Sequence, residues 1–437
     1  MKNVLVIAYY FPPSGGPGVQ RVLKHIKYLK EFGWNPIVLT VSNGQFPARD
    51  ESLMKEIPKD IKVYRSHIFE PYDLYRKFTG KSKDTAIDVN VIKKDGQKSN
   101  FKENIAEFIR ATFFIPDARI GWINSAVKIA EKIMEEYKID AIYSSSPPYT
   151  CSMIARKLKR KYKIKWVAGF RDPWTGFISS PKRWFLPKAI DKSFEKSVFK
   201  EADSVECAWI GIIKDAFKKY PELAREPYKS KFHHVPNGFD SSDFPDVKHK
   251  RNDKFILTYT GSMYGRRNPS ALFEAIENLI SNNLIDSDKF EIKLVGRFGN
   301  EIYKMIENTS FKETVNLISY IPHKESIKHL MLSDALLLIV DESKESEEIV
   351  PGKVYEYIGI KKPLIAIAPK NSAIADLIKK TNAGKIAHQS EIKEIEAIFL
   401  EYFNNWKNEN DSFNPNHELI ANYERRNSTK YLAKLLD

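Results

Sequence analysis

The chain has 437 residues, 42% of them hydrophobic and 12% aromatic, enough for the cores of two or three domains and too much for global disorder. Its 70 Lys and Arg against 56 Asp and Glu leave a formal charge of +14, which points to an anionic partner, and without zinc-finger, RNP or KH patterns nucleic acid is set aside. No apolar run approaches the ~20 residues of a membrane span, while Cys151 and Cys207 offer neither metal-ligand spacing nor a disulfide framework.

The N-terminus has no signal-peptide cleavage pattern and runs straight into a buried-strand sequence, Asn3–Ala8. A Pro/Gly loop, Phe11–Gly18, leads to a helix with Val22, Leu23, Ile26 and Leu29 on one face, and Pro36–Val41 is the next strand. Strand, glycine loop, helix, strand opens a parallel α/β sheet. From about Tyr72 to Phe101 a Lys- and Asp-rich excursion interrupts the alternation. Phe101, Ile105, Phe108, Ile109 and Phe113 then fall at helical spacing, either as core packing or as a membrane- or acceptor-facing helix.

Strands are expected near Ala141–Ser144, Trp166–Phe170 and Ser204–Ala208. Between them lies a basic run of Arg156, Lys157, Lys159, Arg160, Lys161, Lys163 and Lys165, read as a lipid-facing surface or as an exposed helix face. A polar stretch, Asp240–Asp253, reads as a linker. The series restarts at Phe255–Thr260, with a glycine loop at Gly261–Gly265 and a helix from about Pro269. Strands at Glu291–Val295, Thr314–Ser319, Ala335–Val340 and Leu364–Ala368 continue it. Two βα series predict two Rossmann-like domains. The only D-x-D, Asp286-Ser-Asp288, reads as a polar turn, and His323 and His388 have no metal-ligand partners at suitable spacing.

The most informative stretch is Glu348–Ile367. Glu348 and Glu356 stand with seven residues between them where a helix begins, ahead of the apolar strand from Leu364. A helix N-terminus has free N–H groups that attract phosphate, and adjacent carboxylates accept hydrogen bonds from sugar hydroxyls. Phosphate and sugar together suggest a nucleotide-sugar. An exposed acidic loop is the alternative, because Asp341, Glu342, Glu345 and Glu347 precede the pair.

Taken in order, Tyr9–Arg21, Pro116–Trp122, Ser144–Tyr149, Phe170–Trp174, Val235–Asp240, Thr260–Pro269 and the paired glutamates resemble a bacterial, retaining glycosyltransferase of family 4. The resemblance implies an α/β GT-B fold: two Rossmann-like domains facing across a cleft, with a C-terminal helix crossing back to the first. The corresponding boundaries are 1–245 for an acceptor domain, 246–415 for a nucleotide-sugar domain and 416–437 for the returning helix. It implies transfer of a sugar from a nucleoside-diphosphate donor to a glycan or lipid-linked acceptor, without metal or other cofactor. The enzyme would be cytoplasmic, peripheral at the anionic inner face of the cell membrane.

Residue by residue, the family's diphosphate-binding Lys falls on Arg267, whereas its Arg falls on Ser262, so that Arg266 or Lys353 is left to supply a second charge. Glu356 would accept from the ribose hydroxyls and Glu348 would meet the donor sugar. Ile349, Val350 and Pro351 replace the family's usual residues, leaving Gly352 and Lys353 to meet phosphate. Arg297 and the segment Tyr320–His323 would surround the base. Gly15 and Gly16 let backbone approach the donor or acceptor. Asp172 would orient or deprotonate the acceptor hydroxyl, or else form a structural pair with Arg171. Asn237, Gly238 and Asp240 read as a hinge turn or as ligand contacts. Competing readings are a nucleotide-sugar epimerase on the same fold and a non-catalytic, membrane-surface glycan-binding protein. A dinucleotide oxidoreductase lacks its G-x-G-x-x-G.

Overall fold

The structure, a computed structural model, describes residues 1–69, 108–176, 181–247, 251–341 and 350–437. These form two compact units, Met1–Asn237 with Arg425–Asp437, and Gly238–Glu424. Glu348, the whole excursion at 72–101 and Ile105 lie outside the described residues. Among the described residues no helix is long and apolar enough to cross a membrane.

The first unit is built on a parallel sheet ordered β3-β2-β1-β4-β5-β6-β7. Its strands are β1 (Lys2–Ala8), β2 (Trp34–Val41), β3 (Lys62–Ser66), β4 (Ala141–Ser146), β5 (Lys165–Phe170), β6 (Ser204–Cys207) and β7 (Phe232–His234). Helices α1 (Pro17–Tyr28), α2 (Ile123–Glu136), α3 (Thr150–Tyr162), α4 (Phe185–Glu201) and α5 (Ile210–Lys219) connect them. Side chains alternate faces along a strand. Accordingly Leu5 and Ile7 enter one core with Ile133 and Ile154, and Val4, Val6 and Ala8 enter the other with Val22 and Ile26. The central strands are therefore apolar throughout, which is why they are visible as runs in the sequence. The edge strands β3 (Lys-Val-Tyr-Arg-Ser) and β7 (Phe-His-His) are short and partly exposed, and carry no such run.

The second unit repeats the plan. Its sheet is ordered β10-β9-β8-β11-β12-β13 and all pairings are parallel. The strands are β8 (Phe255–Thr260), β9 (Phe290–Val295), β10 (Val315–Ile318), β11 (Ala335–Ile339), β12 (Leu364–Ile367) and β13 (Gly384–Ala387). Its helices are α6 (Ser270–Ser281), α7 (Asn300–Glu307), α8 (His323–Met331), α9 (Gly352–Ile360), α10 (Ala373–Thr381), α11 (Ile392–Lys407) and α12 (His417–Ala421). Asp240 to Asp243, inside the expected linker, belong to this unit: Phe239 N–H donates to the Tyr423 carbonyl at 3.1 Å and Ser241 N–H to the Glu424 carboxylate at 3.0 Å. The Asp286–Asp288 segment is an exposed turn.

The last helix, α13 (Arg425–Leu436), returns to the first unit, where Leu432, Leu435 and Leu436 join α1 in a shared core. Tyr431, on the same helix, is exposed, and its hydroxyl lies 3.2 Å from His233 Nδ1. In the basic run Arg156 and Arg160 pair with Glu201, Lys159 with Asp203, and Lys161 with Glu131. Four of its seven cations are thus tied to acids on neighbouring elements, while Lys157 and Lys163 are exposed.

A buried ion pair joins these elements. Arg21, on α1, meets Glu206, on β6, at 2.6 Å, and both side chains are essentially inaccessible. The guanidinium also donates to the Val235 carbonyl at 2.8 Å and to Asn237 Oδ1 at 3.1 Å, while Tyr143 O–H donates to the other Glu206 oxygen at 2.8 Å. His25 Nδ1 lies 2.9 Å from Thr429 Oγ1 on α13. Burial, with Arg21 and Arg425 nearby, holds His25 well below the usual histidine range, so it stays neutral. Glu206→Leu should lower unfolding stability by about 3–5 kcal/mol, because it leaves a guanidinium buried without its counter-charge. The double variant Arg21→Met/Glu206→Leu should lose less than the single one. Denaturant melts check both; a single-variant loss under ~1 kcal/mol would contradict the assignment.

Candidate functional site

In open parallel sheets, ligands bind beyond the C-terminal strand ends where the strand order reverses. In the second unit that point lies between β8 and β11. After Thr260 the chain turns at Gly261 (φ +126°), which lies against Gly296 (φ +151°) beyond β9. A Cβ on Gly296 would stand 2.0 Å from the Gly261 carbonyl oxygen, so only glycine fits this crossing. Gly261 N–H donates to the Val295 carbonyl at 2.8 Å, and Met263 N–H to that of Arg297 at 3.0 Å.

This turn also separates Arg267, expected at the diphosphate, from Arg266, one of the two candidates for a second charge. Arg267 is half-buried, with Nη2 3.8 Å from Asp341, just past β11. Its Nε is buried with no hydrogen-bond partner among the described residues. Arg266 is exposed and instead lines a separate cavity with Asn268, Ser270, Glu274 and His388.

Helix α9 supplies the second cation. Pro351 is its N-cap and offers no capping side chain, so its own N-cap leaves the first amides free of that competition. Lys353, in the first turn, donates to Tyr259 Oη at 3.0 Å and lies 3.4 Å from the Thr260 carbonyl. Its ammonium stands 4.2 Å from the centre of the Tyr259 ring. A Cβ on Gly261 would come within 3.4 Å of Lys353 Nζ, so the bare turn makes room for the amine. Burial, reinforced by Arg267 and opposed by Glu356, pushes the amine down to about 7. Tyr357, fully buried, holds α9 in register: it accepts from Thr260 N–H at 2.8 Å.

Glu356, one turn on from Gly352, lies with Oε1 2.9 Å from His323 Nε2, on the first turn of α8. His323 therefore has a carboxylate partner that spacing alone did not reveal. Arg297 stacks over Tyr320, 5.0 Å from the ring centre, and both are exposed. At Gly352 a Cβ would meet no atom within 4 Å, so no neighbour demands glycine there. Arg267 and Lys353 are thus brought together, with Glu356 beside them. Arg266 faces elsewhere, and Glu348 lies outside the described residues.

The first unit has its own reversal point, between β1 and β4. Gly15 N–H donates to the Ala48 carbonyl at 2.9 Å, and a Cβ there would lie 3.3 Å from that of Asp50. Gly16 adopts φ +94° as the N-cap of α1. Of the glycines in this loop the tightest is Gly18, where a Cβ would meet Arg171 Nη1 at 1.9 Å. Arg171 donates to the Pro147 carbonyl and stacks near Tyr10. It makes no ion pair with Asp172, so the alternative of a structural Arg–Asp pair is not realised. Asp172, just past β5, is largely buried, which raises its carboxyl above the usual range despite the opposing charge of Arg171. No described side chain donates to that carboxylate. Tyr149 O–H contacts the Asp172 backbone carbonyl instead, at 3.3 Å.

Residues 240–420 match the family described as glycosyl transferases group 1. No curated protein matches the chain. Among solved structures, sucrose-phosphate synthase from Thermosynechococcus elongatus aligns over 100% of this chain and 98% of its own, at 11% identity and a TM-score of 0.58. A mutant of S. aureus TarM, in complex with Fondaparinux, alpha-GlcNAc-glycerol and UDP, aligns over 100% of both chains at 13% identity and 0.58. A structure described as trehalose-6-phosphate from E. coli bound with UDP-2-fluoro glucose aligns over 100% of this chain and 99% of its own, at 11% and 0.59. At these identities the similarity is one of fold, and it extends over the whole chain: the protein has the GT-B fold, and its second unit carries the group 1 glycosyl transferase match.

Proposed function

We propose that the protein transfers a sugar from a nucleoside-diphosphate donor to a glycan or lipid-linked acceptor, with retention of configuration, as family 4 glycosyltransferases do. The observation that carries this reading is the pair Arg267 and Lys353, gathered with the start of α9 at the reversal point of the sheet that matches the glycosyl transferase family. As the bond from sugar to diphosphate breaks, negative charge grows on the leaving oxygen. A guanidinium, an ammonium and free helix amides already in place neutralise it without reorganising, which lowers the barrier. In this reading no metal or other cofactor takes part. The UDP and UDP-2-fluoro glucose bound in two structures of the same fold support a nucleoside-diphosphate donor.

Glu356 then accepts from the ribose hydroxyls, with His323 fixing its orientation. Glu348 meets the sugar. Arg297 and Tyr320 offer a stacked surface to the base, and Gly15 and Gly16 let backbone close on the substrates. Asp172, whose burial favours taking up a proton, receives the one released by the acceptor hydroxyl. The acceptor is presented at the anionic inner face of the cell membrane, with the enzyme peripheral to it on the cytoplasmic side.

A panel of UDP-, GDP-, ADP- and dTDP-sugars, assayed for nucleotide release, tests the assignment. Release of one nucleotide, lost in both Glu348→Ala and Glu356→Ala, is expected. Neither release nor binding of any nucleotide-sugar would overturn it, and product formed without acceptor would favour the epimerase.

Lys353 gives a pH signature. The amine is charged below about pH 7 and neutral above it, so affinity for a nucleoside diphosphate should fall as pH rises. One charge-assisted hydrogen bond corresponds to roughly tenfold between about pH 6 and about pH 9. Lys353→Arg, charged throughout, should flatten the profile in titration calorimetry. Affinity rising with pH would contradict the role.

A further inference from the structure

The first unit carries an apolar surface that its own described residues leave uncovered. Phe108 and Phe113, in the helical segment 108–113, are 58% and 71% exposed, and Phe185, at the start of α4, is 78% exposed. Trp184, Leu186 and Ile190 are exposed beside it. The two segments are locked together. Arg183, with its side chain only 4% exposed, pairs with Asp191 at 2.9 Å. It also donates to the Phe114 and Pro116 carbonyls at 2.9 and 2.8 Å, and to that of Ala111. Trp184 Nε1–H donates to Thr112 Oγ1 at 3.0 Å. A buried guanidinium thus fixes the backbone of both segments while their aromatic side chains point away from any core.

Within the described segments 108–119 and 181–192 the exposed charges are positive. Lys182, Lys188 and Lys192 are exposed at its edge and Arg110 is part-exposed. The acids within 108–119 and 181–192 are Asp117 and Asp191, and both are engaged: Asp117 accepts from Thr150 Oγ1–H at 2.8 Å, and Asp191 is buried. Aromatic side chains ringed by lysine suit the boundary of a bilayer with anionic headgroups, where rings enter the interface and ammonium groups meet phosphate. Large exposed apolar patches on a protein surface mark such contacts. The patch also connects to the acceptor side. The second oxygen of Asp191 accepts from Trp174 Nε1–H at 2.8 Å, and Trp174 stands two residues after Asp172.

We propose that the protein docks on anionic lipid through Phe108, Phe113, Trp184, Phe185, Leu186 and Ile190 with their flanking lysines, rather than through α3, most of whose cations are paired with acids of the first unit. This deepens the function proposed above and rests on its membrane-presented acceptor, but its test is separate. The full chain is co-sedimented with vesicles of phosphatidylglycerol and phosphatidylcholine, and with phosphatidylcholine alone. Wild type should partition onto the anionic vesicles. Phe113→Ser/Phe185→Ser should bind them about tenfold or more weakly, and Lys182→Gln/Lys188→Gln several-fold more weakly, while both variants release nucleotide in solution at the wild-type rate. Three results would overturn the proposal: no partition of wild type, equal partition of wild type and the aromatic variant, or dimers by light scattering that the same substitutions dissolve, which would make the patch an interface between copies. Loss of nucleotide release in every form with vesicle binding intact would instead count against the donor reading.

Discussion

Burying a charged amine away from water disfavours its charged form unless a counter-charge is supplied. For Lys353 the described residues supply a phenol oxygen, a backbone carbonyl and an aromatic face, but no carboxylate within ion-pair reach. Arg267, nearby, has among the described residues a carboxylate only at 3.8 Å and a buried Nε without a partner. Two cations held close together and left under-neutralised by the described residues create a local demand for negative charge. Meeting it by an acid of the protein would abolish the site; meeting it by a diphosphate makes binding favourable and places positive charge where a leaving group develops its negative charge.

The first unit shows what a fully satisfied cation looks like in the same molecule. Arg21 is more deeply buried than either, yet its fork is filled by Glu206, by the Val235 carbonyl and by Asn237. That pair is a structural tie between α1, β6 and the segment after β7. Arg183 is a second tie of this kind, closing on Asp191 and three carbonyls. A cation whose donors are all filled marks architecture, whereas Arg267, with only a 3.8 Å contact to Asp341, and Lys353, with no described carboxylate in ion-pair reach, mark candidate chemistry.

Both parallel sheets were legible in the sequence, since their central strands are covered on both faces and read as continuous apolar runs. The half-exposed edges β3, β7 and β13 were not, because Lys-Val-Tyr-Arg-Ser, Phe-His-His and Gly-Lys-Ile-Ala carry no such run. In the second unit, Glu356, Gly352 and Lys353 were legible as a helix start ahead of a strand. The choice between Arg266 and Lys353 as the second cation was not, because it depends on a turn built on positive-φ glycines. The link from His323 to Glu356 joins positions on two helices and leaves no local signal. The same limit explains the basic run on α3: its acids, Glu131, Glu201 and Asp203, come from elsewhere in the chain. The spacing of Phe108, Ile109 and Phe113 was legible as a helix, but whether its apolar side faces a core or the outside is decided by what packs there.

The central claim is that Arg267 and Lys353 act together on a diphosphate, and a double-mutant cycle tests it most directly. Inorganic pyrophosphate is titrated calorimetrically below about pH 7, where Lys353 is charged, into wild type, Arg267→Leu, Lys353→Met and the double variant. Each single substitution should weaken binding by about tenfold or more, and the combined loss should differ from the sum of the two by at least ~0.5 kcal/mol, as expected of groups sharing one ligand. Wild-type affinity in both single variants would contradict the claim, and pyrophosphate would then be held elsewhere on a basic surface.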